Sequence, residues 1–454
     1  MRVRLAATIL FSLAPIPAAA QEGIPLALDY RAAQRRLLER SDAVAASDAN
    51  VRGKALQAGA TRSLGRPEID VEAQLLDYQK TLYLPLGSLA PVAESFGIAD
   101  PLRFRRQETA VRPIVTATVP LYTGGQIAGT KAGARAQLDQ ARAERQAAID
   151  KALLQLVQAY YGQQLAEQAL GVRRDVLAGL ERHLSDATKL EREQFISRAQ
   201  RLQAQVARDD AAREYEKAIA DLATANAALA GLLRAPQGIR PVTPLFVDSQ
   251  PLDPLERYKA QALDTHPELD RLRALEAQAE AGVTIEQSKQ RPTVYGFGQY
   301  NFDRQDSLLT DPDWSVGIGL RYKLASGLGR AQAVEAARQT AAQANAGLRE
   351  ARTQIEMGVT KAWNEAEAAR RRFLLLDSAL DSSNENLRLQ RLSYREQQAT
   401  SLDVIDAELG LGRTCVQRAQ AAYDYVMALA QLLDLSGQIA HLPDYVARAD
   451  KEVP

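Results

Sequence analysis

Hydrophobic and polar positions follow two periods along this chain, and the places where one period gives way to the other divide it into elements. From Leu121 to Ala235 no proline interrupts a run rich in Ala, Gln, Leu, Arg and Glu, all strong helix formers. Pro120 and Pro236 bracket the run, as suits a residue tolerated at helix ends and not inside. Asp313–Leu442, between Pro312 and Pro443, has the same character. Each window holds roughly a hundred residues or more, far beyond an ordinary helix, so each must contain very long helices that fold back. The first helix is predicted over Gln126–Lys189. It reverses within Arg192–Ala199, where Phe195-Ile196-Ser197 interrupts a charged, Gln-rich surface, and returns to Leu233. In the second window a descending helix is predicted over Arg330–Arg395, with its reversal at Gln397.

Shorter elements flank these windows. Asp29–Leu64 reads as helix, with apolar positions at Ala33, Leu37, Leu38, Val44, Val51, Ala55 and Leu56, and Gly65-Arg66-Pro67 stops it. Glu68–Leu75 then alternates with period 2, Ile69, Val71, Ala73 and Leu75 on one face and Asp70, Glu72 and Gln74 on the other, which predicts a strand. A loop of some thirty residues follows, containing Pro85, Gly87, Pro91, Gly97 and Pro101; loops this long are usually functional or exposed. Val111–Tyr122 is a second strand, and Gly124-Gly125 turns the chain into the first window. Residues 236–254 hold five prolines and read as a linker. Leu255–Gln290 is again helical and ends at Arg291-Pro292. Strands follow at Thr293–Phe302 and Trp314–Lys323, the latter with Trp314, Val316, Ile318, Leu320 and Tyr322 on one face and Ser315, Arg321 and Lys323 on the other. Ser326-Gly327 re-enters a long helix.

The second half therefore repeats the first. Thr123-Gly124 matches Ser326-Gly327, Ala159-Tyr160 matches Ala362-Trp363, and Gln194 matches Gln397 at one offset of about 203 residues, the mark of a duplicated unit. The organisation expected is a signal peptide at 1–20, a helix–strand–strand–helix–helix repeat at 21–235, a linker at 236–254, a second repeat at 255–442 and a tail at 443–454. A helix of some 65 residues is roughly 100 Å long, and the others roughly half that, so two short helices stacked end to end match one long one and the unit builds a rod with strands at one end. Four strands cannot enclose even a filled small barrel, which takes about eight, and open strand edges are not viable in lipid. Three copies supply about twelve strands. The fold class expected is mainly α, with long helices and a small membrane β-barrel shared by three chains. Tyr78, Tyr83, Tyr122, Tyr300, Trp314 and Tyr322 fall near strand ends, as interfacial aromatics do.

Composition narrows the function. Arg2 and Arg4, the apolar run Leu5–Ala14 and Ala18-Ala19-Ala20 form a secretory signal with a small-residue cleavage site before Gln21. Past it no apolar run is long enough to cross a bilayer as a helix. The lone Cys415 makes no internal disulfide. Formal charge is balanced, about −2 once the two leader arginines are gone, and no basic patch stands out, which argues against nucleic acid. Gly124–Lys131 reads GGQIAGTK, with lysine after threonine where a Walker A loop has it before. His183, His266 and His441 lie far apart with no ligand spacing, and there is no nucleophile elbow. Neither an enzymatic site nor a cofactor is indicated.

The segments Val119-Pro120-Leu121-Tyr122-Thr123-Gly124-Gly125-Gln126, Tyr160-Tyr161 and Ser401-Leu402-Asp403-Val404-Ile405-Asp406-Ala407 resemble, respectively, the strand-to-helix turn, the long-helix aromatic position and the LDVLDA tip segment of TolC-type outer-membrane efflux proteins. The resemblance spans nearly all of the mature chain. It implies a homotrimer in outer-membrane lipid with a helical tunnel crossing the periplasm, served by a periplasmic adaptor (membrane fusion protein) and an inner-membrane transporter in efflux or type I secretion. It also implies strand-to-helix turns at Gly124, Gly125 and Gly327, periplasmic helix turns at Gln194, Phe195 and Gln397, and a periplasmic gate at Tyr394, Asp403 and Asp406. Asp403 and Asp406 are three apart on one helix face, a spacing that by itself describes a solvated surface. The chain departs from the family in carrying Gln194 and Gln397 where glycine is usual, and Gln200 where some relatives have an aspartate. The rival reading is a periplasmic coiled-coil adaptor or scaffold without a pore, which would not need two strand pairs of opposite-faced polarity.

Overall fold

The computed structural model describes residues 25–302, 312–324 and 329–453. In chain order the elements are β1 (Leu26–Leu28), α1 (Tyr30–Arg40), α2 (Asp42–Ala60), β2 (Glu68–Leu84), α3 (Ala90–Ser95), β3 (Leu102–Tyr122), α4 (Gln126–Arg192), α5 (Arg198–Leu232), β4 (Ile239–Pro241) and β5 (Leu245–Val247). After these come α6 (Leu255–Thr265), α7 (Pro267–Ser288), β6 (Thr293–Asn301), β7 (Trp314–Arg321), α8 (Arg330–Arg395), α9 (Ser401–Leu435), α10 (Leu442–Arg448) and β8 (Lys451–Val453). No described helix is long and apolar enough to cross a membrane. The predicted signal segment, residues 1–20, and Gly327 lie outside the described residues.

The duplication is carried through to single residues. A separation of 203 residues relates the end of α4 to that of α8, the start of α5 to that of α9, and the end of α5 to that of α9. The chain divides into two compact units, one from the described parts of residues 1–42, 149–259 and 358–454 and the other from 43–148 and 260–357.

The first unit has a core of Tyr30, Tyr160, Tyr161, Phe246 and Tyr425, all essentially buried. Tyr30 stacks on Tyr161 at 5.5 Å and Tyr160 meets Tyr161 edge-on at 5.2 Å. The proline-rich segment read as a linker is instead folded into this core. β4 pairs in parallel with β1, and β5 pairs antiparallel with β8, while Leu245, Phe246 and Val247 are buried. The prolines sit outside these short strands or, like Pro241, at a strand end, where a missing N–H is tolerated.

Both repeats secure that segment with equivalent residues. The Tyr160 hydroxyl donates to Leu28 O at 2.8 Å and accepts from Val242 N and Thr243 N, and Gln164 donates to Pro241 O. Their counterparts 203 residues on do likewise. Trp363 donates to Asp253 O at 3.0 Å, and Glu367 accepts from Leu252 N at 2.8 Å. Here the second repeat replaces an amide with a charge. Glu367 is buried against Arg370, which donates in turn to Ser249 O.

The second unit holds the main sheet, in strand order β2-β3-β6-β7, antiparallel throughout. Its strands β2 and β3 exceed the predicted Glu68–Leu75 and Val111–Tyr122. They run on through most of the expected thirty-residue loop, leaving only residues 85–101 between them, with α3 inside. Tyr78 consequently lies within β2 and not near its end. The predicted helix Leu255–Gln290 is two helices, because Pro267 opens α7 with His266 as its cap, Nδ1 accepting from Glu268 N at 3.1 Å. Likewise Asp29–Leu64 breaks at Ser41 into α1 and α2.

Candidate functional site

The predicted function residues fall in two regions, the sheet and the far ends of the long helices.

In the sheet, alternation sorts side chains onto two faces. One face carries Ile69, Val71 and Leu75 of β2 and Trp314, Val316, Ile318 and Leu320 of β7. All are exposed in the isolated chain, Val316 and Ile318 to 76% and 74%, and an apolar surface of that extent calls for lipid or protein against it. The opposite face carries Asp70, Glu72 and Gln74, paired with Thr116, Ile114 and Arg112, and Ser315 opposite Gln299. On that polar face Phe297 and Tyr295 lie over Gly317 and Gly319, so close that a Cβ on either glycine would fall within 3 Å of the ring. Arg321 sits over Tyr295 at 5.3 Å. Among the described residues the outermost strands, β2 and β7, have no further strand partner in the sheet.

The sheet joins helix at Gly124 and Gly125, with φ of +64° and +107°, a region glycine enters without steric cost. Gly124 also needs the space. A Cβ there would lie 2.9 Å from that of Arg291, whose guanidinium donates to Gly124 O at 3.0 Å.

At the far ends of α4 and α8, both predicted reversals occur where expected. Gln194 (φ +63°) and Gln397 (φ +59°) each take the left-handed conformation that glycine usually fills. Around each, two backbone bonds close the helix end, Gln194 N to Glu191 O and Phe195 N to Leu190 O, then Gln397 N to Tyr394 O and Gln398 N to Ser393 O. That is the Schellman pattern. The next helix starts at once with a capping box, Ser197 with Gln200 and Thr400 with Asp403. Phe195 is 58% exposed at the first tip. Glutamine thus fills the left-handed position at each reversal, and Gln200 has a capping role.

The predicted gate residues take different environments. Asp403 is exposed, and its carboxylate accepts from Thr400 N and Thr400 Oγ1, both at 2.7 Å. Those bonds lower its pKa. Asp406 is exposed and lines a groove of about 710 Å³ between α5 and α9, beside Leu402, Ile405, Leu409 and Val206. Tyr394 is buried and packs on His183 with ring centroids 4.9 Å apart.

Sequence reasoning missed His183 and its surroundings. His183 Nε2 lies 2.7 Å from Ser401 Oγ, and burial pushes its pKa down, against the opposing pull of Asp186. Arg391 pairs with Glu408, whose pKa burial raises in spite of that arginine. Two glycines carry the only sequence signal. A Cβ on Gly179 would strike the Glu408 carboxylate, and one on Gly412 would strike Val176, so α4 and α9 approach closely because both lack side chains there. Among the described residues no cluster of metal-ligating side chains occurs.

Residues 260–438 match the family model for the outer membrane efflux protein. The chain is 29% identical over 267 residues to Protein CyaE of Bordetella pertussis and spans only 56% of the length of that curated relative, the match covering 56% of this chain. Its fold is similar to that of CusC (TM-score 0.74, 16% identity, 95% of this chain and 99% of the other). It is also similar to the outer membrane protein VceC of Vibrio cholerae (0.72, 15%, 90% and 96%) and to the open state of the Neisseria gonorrhoeae MtrE outer membrane channel (0.70, 18%, 90% and 89%).

Proposed function

We propose that the chain is a TolC-type outer-membrane efflux protein, as the match of residues 260–438 to the outer membrane efflux protein model supports, and that it is the exit duct of a tripartite efflux or type I secretion system, passing substrates from an inner-membrane transporter and a periplasmic adaptor to the outside. In this reading the protein lies in the outer membrane and extends into the periplasm. The observation that carries the duct reading is the four-stranded sheet with one polar face, one exposed apolar face and two outermost strands without a further partner. Such a sheet is stable in lipid only when closed, and one chain's four strands are too few to close. Three chains closing a barrel of about twelve strands put the polar face on a watery lumen and the apolar face on lipid. A pore-free adaptor or scaffold has no use for that division. The mass of the detergent-solubilised protein tests the assembly. A trimer is expected, and a stable monomer or dimer rejects the shared barrel.

The helical tips form the periplasmic mouth. Asp403 is held ionised by its capping hydrogen bonds, and Asp406 lies one turn further on. Repeated three times, these carboxylates set up a negative ring whose potential low-dielectric walls focus, favouring cations. Asp403 also caps α9, so Asp406→Asn is the cleaner variant. In planar bilayers it should lower cation preference and weaken block by multivalent cations added on the periplasmic side. Unchanged selectivity and block would place Asp406 outside the pore.

A further inference from the structure

The hairpin of β2 and β3 is much longer than a membrane requires. β6 and β7 have 9 and 8 residues, which matches the apolar band of an outer-membrane barrel, about 25 Å tall. β3 keeps a hydrogen bond from the β6 side as far as Pro113, which accepts from Phe302 N. Beyond it, residues 102–112 pair only with β2 among the described residues. At about 3.3 Å per residue that overhang measures roughly 36 Å. It leaves the sheet at the end away from the helices, which is the outer side in the reading above.

Along this overhang the sheet exchanges its faces. Up to Leu75 and its partner Val111 the apolar residues are on the lipid side. From Leu76 onward the lipid side turns polar, with Asp77, Gln79, Thr81, Arg105, Gln107 and Thr109. Arg105 donates to Gln79, and Gln107 and Thr109 lie at 3.5 and 3.4 Å from the Asp77 carboxylate. Tyr83, on this side, lies beneath the Arg103 guanidinium. The lumen side, acidic and amide-bearing inside the membrane, becomes Leu76, Tyr78, Leu82, Leu84, Leu102 and Phe104. Leu82 pairs with Phe104 and Leu84 with Leu102, and Leu82, Leu84 and Phe104 are 42%, 49% and 55% exposed. Its charges are grouped between the two apolar bands, with Arg106 paired to Glu108 at 2.7 Å and Lys80 over the Tyr78 ring.

A lipid-seeking hairpin would keep its apolar residues on the outer face, and a solvated one would have no apolar face. Apolar residues turned toward the axis, outside the bilayer, need a partner on the axis. Twelve strands spaced about 4.8 Å apart and tilted about 40° close a barrel of radius roughly 12 Å, so each overhang is long enough to reach the centre. We propose that the β2–β3 overhangs of three copies of this chain lean together beyond the membrane and pack Leu82, Leu84, Leu102 and Phe104 against one another, capping the outer mouth of the duct. The occupant of each apolar face is the same face of the neighbouring copies. The proposal rests on the trimeric-duct reading.

Single cysteines in a Cys415→Ser background test it in intact outer membranes. Leu82→Cys should form disulfide-linked pairs of chains under mild oxidation and resist a sulfonated maleimide. Gln79→Cys, on the outer face, should be labelled and remain unlinked. If both positions are labelled and neither crosslinks while the solubilised protein keeps trimer mass, the cap is overturned and the duct reading stands; a passing substrate or solvent then occupies that face. A monomeric mass overturns both. As an independent readout, Leu82→Asp with Phe104→Asp should raise single-channel conductance several-fold at unchanged trimer mass, and an unchanged conductance rejects the cap.

Discussion

Ile318→Arg should abolish stable assembly in the outer membrane, whereas Ser315→Arg should leave it largely intact. Ile318 is 74% exposed on the apolar face, where an arginine at mid-membrane costs about 2–4 kcal/mol. In the proposed trimer three copies carry the change, so the penalty is incurred three times per channel. Its cross-strand neighbour is Gly296, which offers no side chain to shield or pair with a guanidinium. Ser315 faces the other way, opposite Gln299, and there an arginine reaches water. Heat-modifiable trimer on a semi-native gel, compared at equal expression, reads the difference. Equal loss at both positions would reject the assignment of faces.

Glu367→Ala should be strongly destabilising in the first unit. Glu367 and Arg370 are both buried and linked by hydrogen bonds at 2.8 to 3.2 Å. Removing the carboxylate leaves Arg370 with Ser249 O and deprives Leu252 N of its acceptor. Breaking a buried pair in this way costs about 3–5 kcal/mol. The first-repeat counterpart, Gln164→Ala, removes one neutral bond to Pro241 O and should cost only about 1–3 kcal/mol. Denaturant unfolding of the solubilised protein tests the ordering, and equal losses would show that the charge adds nothing. Burial raises the Glu367 pKa, but its bonds to Arg370 and Leu252 N outweigh that and hold it net below the ordinary carboxylate value. Its contribution is therefore fully present above the unfolded carboxylate pKa, about 4.3, and is lost as pH falls through the lower folded value.

The four long helices are legible because proline is excluded from them. The bounds Arg330–Arg395 came from the sequence unchanged, and both reversals fell at the expected glutamines. The strands β2 and β3 run past their predicted ends for a physical reason. The period-2 pattern slips phase at Leu75-Leu76, and there the chain keeps its β geometry while the two faces exchange character. Five prolines concealed β4 and β5, because their identity announces irregular backbone while Leu245-Phe246-Val247 between them supplies core. In the tip region the caps Ser197-x-x-Gln200 and Thr400-x-x-Asp403 have a recognisable spacing that the sequence reading passed over, taking Asp403 for a gate residue, whereas His183 and Ser401 meet across 218 positions with no local pattern to link them.

The partnerless outer edges of β2 and β7 also have a genetic consequence. If each edge is completed only by a neighbouring chain, a subunit with a damaged edge spoils every ring it joins. In a cell making equal amounts of sound and damaged chains that mix freely, roughly one closed ring in eight would be wholly sound. A defective allele would then act dominantly over a normal one, and raising the dose of the normal copy would relieve it.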